Sequence, residues 1–398
     1  MSSCSQLAQR MHGFVIFRHL LQNPAASHLI KLLSSPHENI NEDLDEYAEF
    51  CCELFYKTEN WSQWLLDFIL KDENIYTNLA VDPRFSPTQE LETCLQRELK
   101  LLEELSRLSS AAVRSEMKTE EILPEWKIEN IDFVAQYRRR IAEIPVKGFG
   151  IFAQYHVFVL NNEGSLVPVR HPDPQMLTHL YGYEKERSKI IQNTLALLEG
   201  KPANNVLLYG DAGTGKSSTV KAIVNTYRAQ GLRLVEIKKT QLYLIPSLLD
   251  SLANNPLKFI LFIDDLCFNP NDNDFSALKA ILEGSVTGRG HNILIYATSN
   301  HRHMVKETFS DRQGDEVHIS DTLQEIISLS ARFGLTVTFS RPEKEQYCEI
   351  VLKLADQYEI AEDPAELLRR AEAYAIRSGG RNPRVAKQFI EGVKAGVN

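Results

Sequence analysis

The sequence predicts an α/β domain with a parallel sheet, preceded by a mainly helical region with a β-hairpin and followed by a small helical domain. From about residue 176, continuous apolar runs alternate with helix-like segments, which is typical of parallel strands covered by helices on both faces. Before residue 116 and after Pro342, apolar residues recur at spacings of three and four, which indicates helices.

Five apolar runs are the predicted strands of a parallel five-stranded sheet. Helix-like stretches lie between them, and a helix between two strands is the usual crossover connection in a parallel sheet. The runs are VLLYG (206–210), LRLVEIK (232–238), FILFID (259–264), NILIYATSN (292–300) and GLTVTF (334–339).

The helical pattern is clearest in two stretches of the amino-terminal region, residues 46–70 and 90–113. Aromatic side chains at helical spacing usually face inward, so six of them are predicted to fill a core rather than to bind a partner. They are Phe50, Phe55, Tyr56, Trp61, Trp64 and Phe68.

A β-hairpin is predicted between this region and the sheet. KGFGIFAQYHVFVLNNEGSLVPVRHP (147–172) contains two β-rich runs with NNEG as the turn, and HPDPQ (171–175) then breaks the chain. We therefore expect four parts: a helical region with a partner-binding role (1–145), hairpin and linker (146–175), an α/β core (176–341) and a helical lid (342–398).

Composition excludes several classes of protein. The formal net charge of −9 argues against a general nucleic-acid binder and against binding to anionic membranes. The six cysteines are sparse and form no CxxC pair, which favours a reducing compartment. No signal-peptide pattern opens the chain, and no run of about 18 apolar residues predicts a membrane span. We expect a cytoplasmic protein without a membrane partner.

A glycine-rich loop follows the first predicted strand of the core. GDAGTGKSS (210–218) fits G-x-x-x-x-G-K-[ST], in which backbone amides and the lysine hold phosphates while the hydroxyl binds Mg²⁺. A strand precedes the loop and a helix follows, so the positive end of that helix adds to the site. The predicted phosphate-binding residues are Gly210, Asp211, Ala212, Gly213, Thr214, Gly215, Lys216, Ser217 and Ser218.

Two aspartates end the predicted strand at 259–264. Asp264 and Ser217 are expected to hold Mg²⁺ together. The strands before them are predicted to be parallel, and parallel strands end at one edge of the sheet. Asp265 is expected to act as general base or to position the attacking water. It has about 1.5 Å less reach than glutamate, the usual residue in such motors, which predicts slow hydrolysis. The alternative is that Asp265 only caps the next segment.

Asn300 stands at the end of the fourth predicted strand, in ILIYATSN (293–300). Its amide is expected to orient the attacking water or to contact the outer phosphate. A turn residue without a chemical role fits the same position, and the sequence leaves both interpretations open.

From about residue 178 to the end, the chain resembles an AAA+ ATPase module. Residues 210–217 match its Walker A motif, residues 259–265 its Walker B motif, and TSN (298–300) its sensor one. The resemblance implies that the protein is an ATP hydrolase that binds ATP with Mg²⁺.

The same resemblance implies an arginine supplied to the neighbouring subunit. SARFGLTV (330–337) is similar to the segment that carries this arginine finger, which would be Arg332. A cation from a second subunit stabilises charge on the transferred phosphoryl group. Arg312, in FSDRQ, is a second candidate, and a buried ion pair is the alternative role for Arg332.

Further nucleotide contacts are implied near both ends of the module. SGGRNPRVAKQFIEGV (378–393) resembles the sensor-two helix, in which Arg384 would contact phosphate; a second register selects Arg381. LYGYEKE (180–186) resembles the segment lining the adenine pocket, which implicates Gly182 and Tyr183.

Within AAA+ proteins, the paired aspartates, TSN and the ARFG stretch are similar to the replication-initiator and helicase-loader branch, although no helix-turn-helix follows the lid. No pore loop is evident, and Tyr243 in QLYLIP is predicted to pack. Including the hairpin and KPANNVLLYGD, the chain resembles a bacterial family of unassigned role, domain of unknown function 815.

The resemblance implies a homo-oligomer, a ring of six, that uses ATP to drive or gate assembly and remodels a protein client. The sequence does not identify this client. Two alternatives stay open. One is a nucleotide-gated interaction switch with little hydrolysis. The other is a DNA-associated loader, for which nucleic acid would be a partner despite the negative charge.

Overall fold

The fold is described from a computed structural model of the chain. It describes residues 3–82, 85–117, 119, 121–266, 278–279, 281–282, 292–300 and 331–397. The chain divides into two compact units, residues 1–154 and 155–398.

The first unit is helical, as predicted. Polar residues begin several of its helices: the side chains of Asn60, Thr88 and Asp132, for example, accept hydrogen bonds from backbone N–H groups of the first turn. Its helices are α1 (Ser3–Met11), α2 (Pro24–Ser34), α3 (Ile40–Phe55), α4 (Trp61–Lys71), α5 (Ile75–Leu79), α6 (Gln89–Ser106), α7 (Ser110–Met117), α8 (Phe133–Lys147) and α9 (Ile151–Gln154).

Aromatic rings form much of the core of this unit. Phe50, Trp61 and Trp64 are buried, as expected, and the Phe50 ring meets the Trp61 ring edge-on at 5.2 Å. The prediction was wrong for Tyr56, which is 89% exposed, and for Phe55, which is 37% exposed. Both lie where α3 ends, so the helical spacing no longer directs their side chains inward.

A buried carboxylate fixes the segment after α1. Glu98, on α6, is fully buried, and its two oxygens accept the backbone N–H groups of Val15, Ile16 and Phe17 at 2.7, 3.0 and 3.1 Å. The Cys94 thiol also donates to it at 3.1 Å. Backbone donors therefore satisfy a charge that would otherwise be costly to bury.

The second unit contains one seven-stranded sheet in the order β2-β1-β4-β5-β6-β3-β7. Every neighbouring pair is parallel except the β1–β2 hairpin. The strands are β1 (Val157–Leu160), β2 (Leu166–Pro168), β3 (Val206–Gly210), β4 (Leu232–Glu236), β5 (Lys258–Ile263), β6 (Ile293–Ser299) and β7 (Leu335–Phe339).

The five predicted core strands are all present and all parallel, but the sheet has seven strands rather than five. The two extra strands are those of the hairpin. Its strand β1 pairs with β4, which is the edge strand of the five predicted ones. The hairpin is also shorter than predicted, since residues 151–154 form a helical turn. Pro168 lies in the outer strand β2, where a residue without a backbone N–H protects the edge.

Helices pack around the sheet, and three more form a separate lid with its own core. The helices beside the sheet are α10 (Glu184–Leu198), α11 (Lys216–Tyr227) and α12 (Ile245–Leu252). The lid helices are α13 (Lys344–Gln357), α14 (Pro364–Arg377) and α15 (Pro383–Lys394). The helices predicted after β5 and β6, at 274–284 and 321–333, fall mostly outside the described residues.

Two further predictions concern surfaces. Tyr243 does not pack as predicted; it lies in a short 3-10 helix after β4 and is 66% exposed. In the described parts of the chain, no helix combines the length and the apolar character that crossing a membrane requires.

We expect Glu98→Gln to lower the free energy of unfolding of the first unit by about 2–4 kcal/mol, because an amide presents N–H groups to backbone donors. Glu104→Gln on the same helix removes only an exposed ion pair with Arg10. It should change the free energy of unfolding by less than about 1 kcal/mol.

Urea unfolding followed by tryptophan fluorescence measures this difference. All three tryptophans, Trp61, Trp64 and Trp126, lie in the first unit, so the signal reports that unit alone. Equal midpoints for the two variants would contradict the role assigned to Glu98.

Candidate functional site

The glycine-rich loop lies between β3 and α11, where its sequence predicts it. Gly213 and Gly215 have φ values of +80° and +93°, a backbone conformation that favours glycine. A Cβ at Gly210 would collide with the carbonyl oxygen of Phe339 on β7, so the loop can leave the sheet only at a residue without a side chain. The loop ends at the amino terminus of α11, where free N–H groups can bind an anion.

Lys216 is the buried cation of the loop, with 5% of its surface exposed. Its ammonium group donates to the carbonyl oxygens of Gly210 and Asp211, each at 2.8 Å, and to Asn300 Oδ1 at 2.9 Å. Burial lowers the pKa of Lys216, and the carboxylates of Asp211 and the two aspartates after β5 oppose this shift. The group is thus held at the edge of the sheet without a direct carboxylate partner among these contacts.

Ser217 and Asp264, the two residues predicted to hold Mg²⁺, lie next to each other. The Ser217 hydroxyl donates to Asp264 Oδ1 at 2.6 Å, which brings a hydroxyl and a carboxylate from two elements to one point. Both are oxygen ligands of the kind that Mg²⁺ prefers. Over the residues that the structure describes, no group of three or more histidine, cysteine or acidic side chains could hold a metal. A Mg²⁺ ion would therefore need phosphate oxygens and water as its other ligands.

Asp265 adopts a left-handed backbone conformation with φ of +53°. Its N–H donates to the hydroxyl of Thr298 at 2.9 Å, and its Oδ1 accepts from Asn300 Nδ2 at 2.7 Å. Left-handed conformations are tolerated better by aspartate than by most residues. Asn300 also contacts Lys216, so one amide bridges the lysine and the second aspartate.

Thr298 lies in the TSN motif (298–300), in which only Asn300 was assigned a role from the sequence. It is buried near the end of β6, and its hydroxyl donates to Asp264 Oδ1 at 2.5 Å while accepting from Asp265 N. One hydroxyl thus fixes both aspartates. A polar residue within an otherwise apolar strand, two positions before Asn300, was the available signal.

The lid contributes the start of α15. The Asn382 side chain accepts from Val385 N at 2.9 Å and so begins the helix, and Arg384 N donates to Gly213 O at 3.2 Å. A Cβ at Gly213 would lie 2.6 Å from Asn382 Oδ1, so this approach also requires glycine.

The two candidate lid arginines differ in position. Arg384 lines the cavity next to the loop. Arg381 donates twice to Glu372, at 2.8 Å for each bond, and is absent from the lining. Arg381 is thus paired within the lid, whereas Arg384 lines the cavity.

Gly182 and Tyr183 adjoin the cavity but do not line it. Tyr183 is buried, and its hydroxyl donates to Ser340 O at 2.6 Å. Gly182 faces Ile350 of the lid. Tyr181, next to both, does line the cavity, together with His179 and Leu180.

The remaining candidates lie apart from the cavity or outside the description. Asp211 turns its carboxylate to Arg341 N, at 2.9 Å, where the chain enters the lid. Arg332 is partly buried just before β7 and does not line the cavity. Arg312 lies outside the described residues.

The loop, the strand ends and the lid enclose a cavity of about 760 Å³. This volume is in the range of pockets that bind small molecules. Its lining from the loop and strands comprises Ala212, Gly213, Thr214, Gly215, Lys216, Ser217, Ser218, Asp264, Asp265, Thr298 and Asn300. Its lining from the linker and lid comprises Asp173, Pro174, Gln175, His179, Leu180, Tyr181, Ile350, Leu354, Gln357, Tyr358, Pro383, Arg384 and Lys387.

A family model described as "Protein of unknown function (DUF815)" matches residues 153–397, which is more than half of the chain. The chain belongs to the DUF815 family. The matched DUF815 region contains the whole described sheet, the lid and every residue of the cavity lining. No curated protein matches the chain.

Among solved structures, the DUF815 protein is similar to the RuvB Holliday junction branch migration motor of Thermotoga maritima, with 19% identity and a TM-score of 0.37. The match covers 56% of this chain and 65% of RuvB, so this chain spans less than two thirds of that protein. The FIGL-1 AAA domain in complex with ADP matches with 16% identity and a TM-score of 0.38, over 55% of this chain and 72% of that one.

Proposed function

We propose that this protein is an ATPase that binds ATP with Mg²⁺, hydrolyses it slowly and uses the bound nucleotide to control assembly with copies of itself. One observation carries the proposal. Lys216, Ser217, Asp264, Asp265 and Asn300 come from three separate elements and meet at the carboxyl edge of a parallel sheet, where α/β proteins bind their ligands.

The charges in the site match those of a triphosphate. Loop amides and the Lys216 ammonium group would hold the phosphates, and Arg384 would contact them from the lid. In that position Arg384 would report the nucleotide to the lid, because its backbone is already hydrogen-bonded to the loop at Gly213.

Ser217 and Asp264 would hold Mg²⁺, which would neutralise charge on the phosphate oxygens when bound. Asp265 accepts a proton from water or orients it, and Asn300 holds the Asp265 carboxylate at 2.7 Å. Thr298 keeps the two carboxylates in fixed positions relative to each other. This division of roles is that of a hydrolase with a single activated water.

Slow turnover follows from the contacts of Asp265. Its carboxylate is short, and one oxygen is already occupied by the Asn300 amide. The shorter side chain places its carboxylate farther from the attacking water than a glutamate would, and a misplacement near 1 Å can cost about a hundredfold in rate. We therefore expect turnover well below the ~10 s⁻¹ that is the median for enzymes.

Assembly is the expected output of the nucleotide site. Arg332 would complete the site of a neighbouring copy, in a ring of six, and stabilise charge on the transferred phosphoryl group. Residues 1–145 would form the part specific for a protein client. Residues 1–154 hold 16 basic and 24 acidic residues, against 28 and 29 in residues 155–398. This concentration of negative charge disfavours the DNA-loader alternative.

A nucleotide-gated switch with little hydrolysis is the second candidate. The observation that favours it is the bridge from Lys216 through Asn300 to Asp265, because it engages the proposed base within the protein. Both candidates operate in the cytoplasm and use the same ligand, and they differ in the fate of that ligand.

We expect Asp265→Asn to reduce phosphate release at least ~100-fold while ATP binding and ATP-dependent assembly persist, because the amide cannot accept the proton. Asp250→Asn, an exposed change on α12, should match wild type in every respect.

A phosphate-release assay in Mg-ATP measures the hydrolysis rate, and light scattering in the same solution measures assembly. Unassisted wild-type turnover of about 10 s⁻¹ or more would contradict the slow ATPase. Wild-type assembly without any phosphate release would favour the switch.

We expect Thr298→Val to lower the hydrolysis rate by about 10- to 100-fold, because a methyl group cannot bond to either aspartate. The dissociation constant for ATP should change less than about threefold, since Thr298 does not belong to the loop. Thr298→Ser restores the hydroxyl and should recover the rate. A serine variant as slow as the valine variant would exclude this role for the hydroxyl.

A further inference from the structure

A segment of the linker forms one wall of the cavity. Residues 173–183, which we call the strap, precede α10 and include six of the lining residues. The strap is attached to α10, where the buried Arg187 donates to Leu180 O at 2.8 Å, and to the end of β7 through Tyr183 and Ser340. Its first residues, 173–175, have a different attachment.

Asn225 holds that first part of the strap. It lies on α11, nine residues after Lys216, and is 8% exposed. Its Nδ2 donates to the backbone oxygens of Asp173 and Gln175, both at 2.8 Å. The helix that begins at the glycine-rich loop therefore also fixes the backbone of a second part of the cavity lining.

The third bond of Asn225 completes its hydrogen bonding. Its Oδ1 lies 3.0 Å from His156 Nε2, next to β1. Since Nδ2 gives both of its protons to carbonyl groups, Oδ1 is the acceptor and His156 Nε2 carries the proton. The amide is thus fixed in one orientation, and both N–H groups of its Nδ2 donate to the strap.

The strap contributes to the cavity some of the groups that suit a nucleoside. The lining from the strap and α13 includes Leu180, Tyr181, Ile350 and Leu354, beside polar residues such as Gln175 and His179. The first four are apolar or aromatic, whereas the cations are at the loop and on α15. The carboxylate of Asp173 in the strap would repel phosphate rather than bind it.

We infer that Asn225 is a positioning residue that holds the strap in the shape that contacts the base and ribose of the nucleotide. This inference rests on the proposed function and deepens it. Without Asn225, two carbonyl groups lose their donor and the strap must be ordered when the ligand binds. The affinity for the nucleoside part then falls, because binding must supply the ordering of the strap.

The test compares ATP with inorganic tripolyphosphate, which has the phosphates and no nucleoside. Equilibrium binding by calorimetry should show that Asn225→Ala weakens ATP about tenfold and leaves tripolyphosphate within about twofold of wild type. Asn225→Asp, which can accept from His156 but cannot donate to the strap, should behave in the same way.

Asn193→Ala is the matched control. Asn193 on α10 also uses its amide to hold a backbone segment, accepting from Asn204 N at 2.9 Å and donating to Asn204 O at 2.8 Å. It does not line the cavity. Its loss should leave both affinities unchanged, although it removes a comparable set of hydrogen bonds.

Three results would overturn the inference. The first is that either Asn225 variant binds ATP as tightly as wild type does. The second is that either variant loses affinity for ATP and for tripolyphosphate equally, which would assign the effect to the glycine-rich loop. The control could also lose ATP affinity as strongly as the Asn225 variants. Wild type that binds neither ligand would instead refute the proposed function, and the inference with it.

Discussion

The buried ammonium group of Lys216 is the interaction on which the rest of the site depends. It joins the loop to the end of β6 through Asn300, and Asn300 joins it to Asp265. A buried cation without a carboxylate partner at contact distance is unfavourable unless backbone carbonyls and a ligand compensate. Among the described residues, the polar contacts of Lys216 are two backbone carbonyls and the Asn300 amide, and in the proposed function the phosphates would supply the negative charge.

Hydrogen bonds fix the lid to the residues around this centre at several points. Asp211 accepts from Arg341 N and Tyr183 donates to Ser340 O, so the chain is fixed where it passes from β7 towards α13. On the other side, Arg384 N reaches Gly213 O. The loop therefore contacts the lid segment at two places, at Arg341 where the chain enters the lid and at Arg384 where α15 begins.

Much of the core could be predicted because its signals are local. The apolar runs and the glycine-rich motif are contiguous in sequence, and the carboxyl edge of a parallel sheet brings Asp264 and Asn300 together. The pairing of β1 with β4 could not be read locally, since a hairpin does not specify which sheet edge it joins. Thr298 and Asn225 bond to partners 34 and about 50 residues away, so a local pattern can mark these residues but cannot identify their partners.

Calorimetric binding of ATP in the presence of Mg²⁺ tests the central claim most directly. Wild type and Lys221→Ala, a control on the same helix outside the cavity lining, should bind ATP alike. Lys216→Ala should lose at least ~100-fold in affinity while it stays folded by circular dichroism, because the variant lacks the buried positive charge of the loop. Unchanged affinity in Lys216→Ala, or no binding by wild type, would contradict this account.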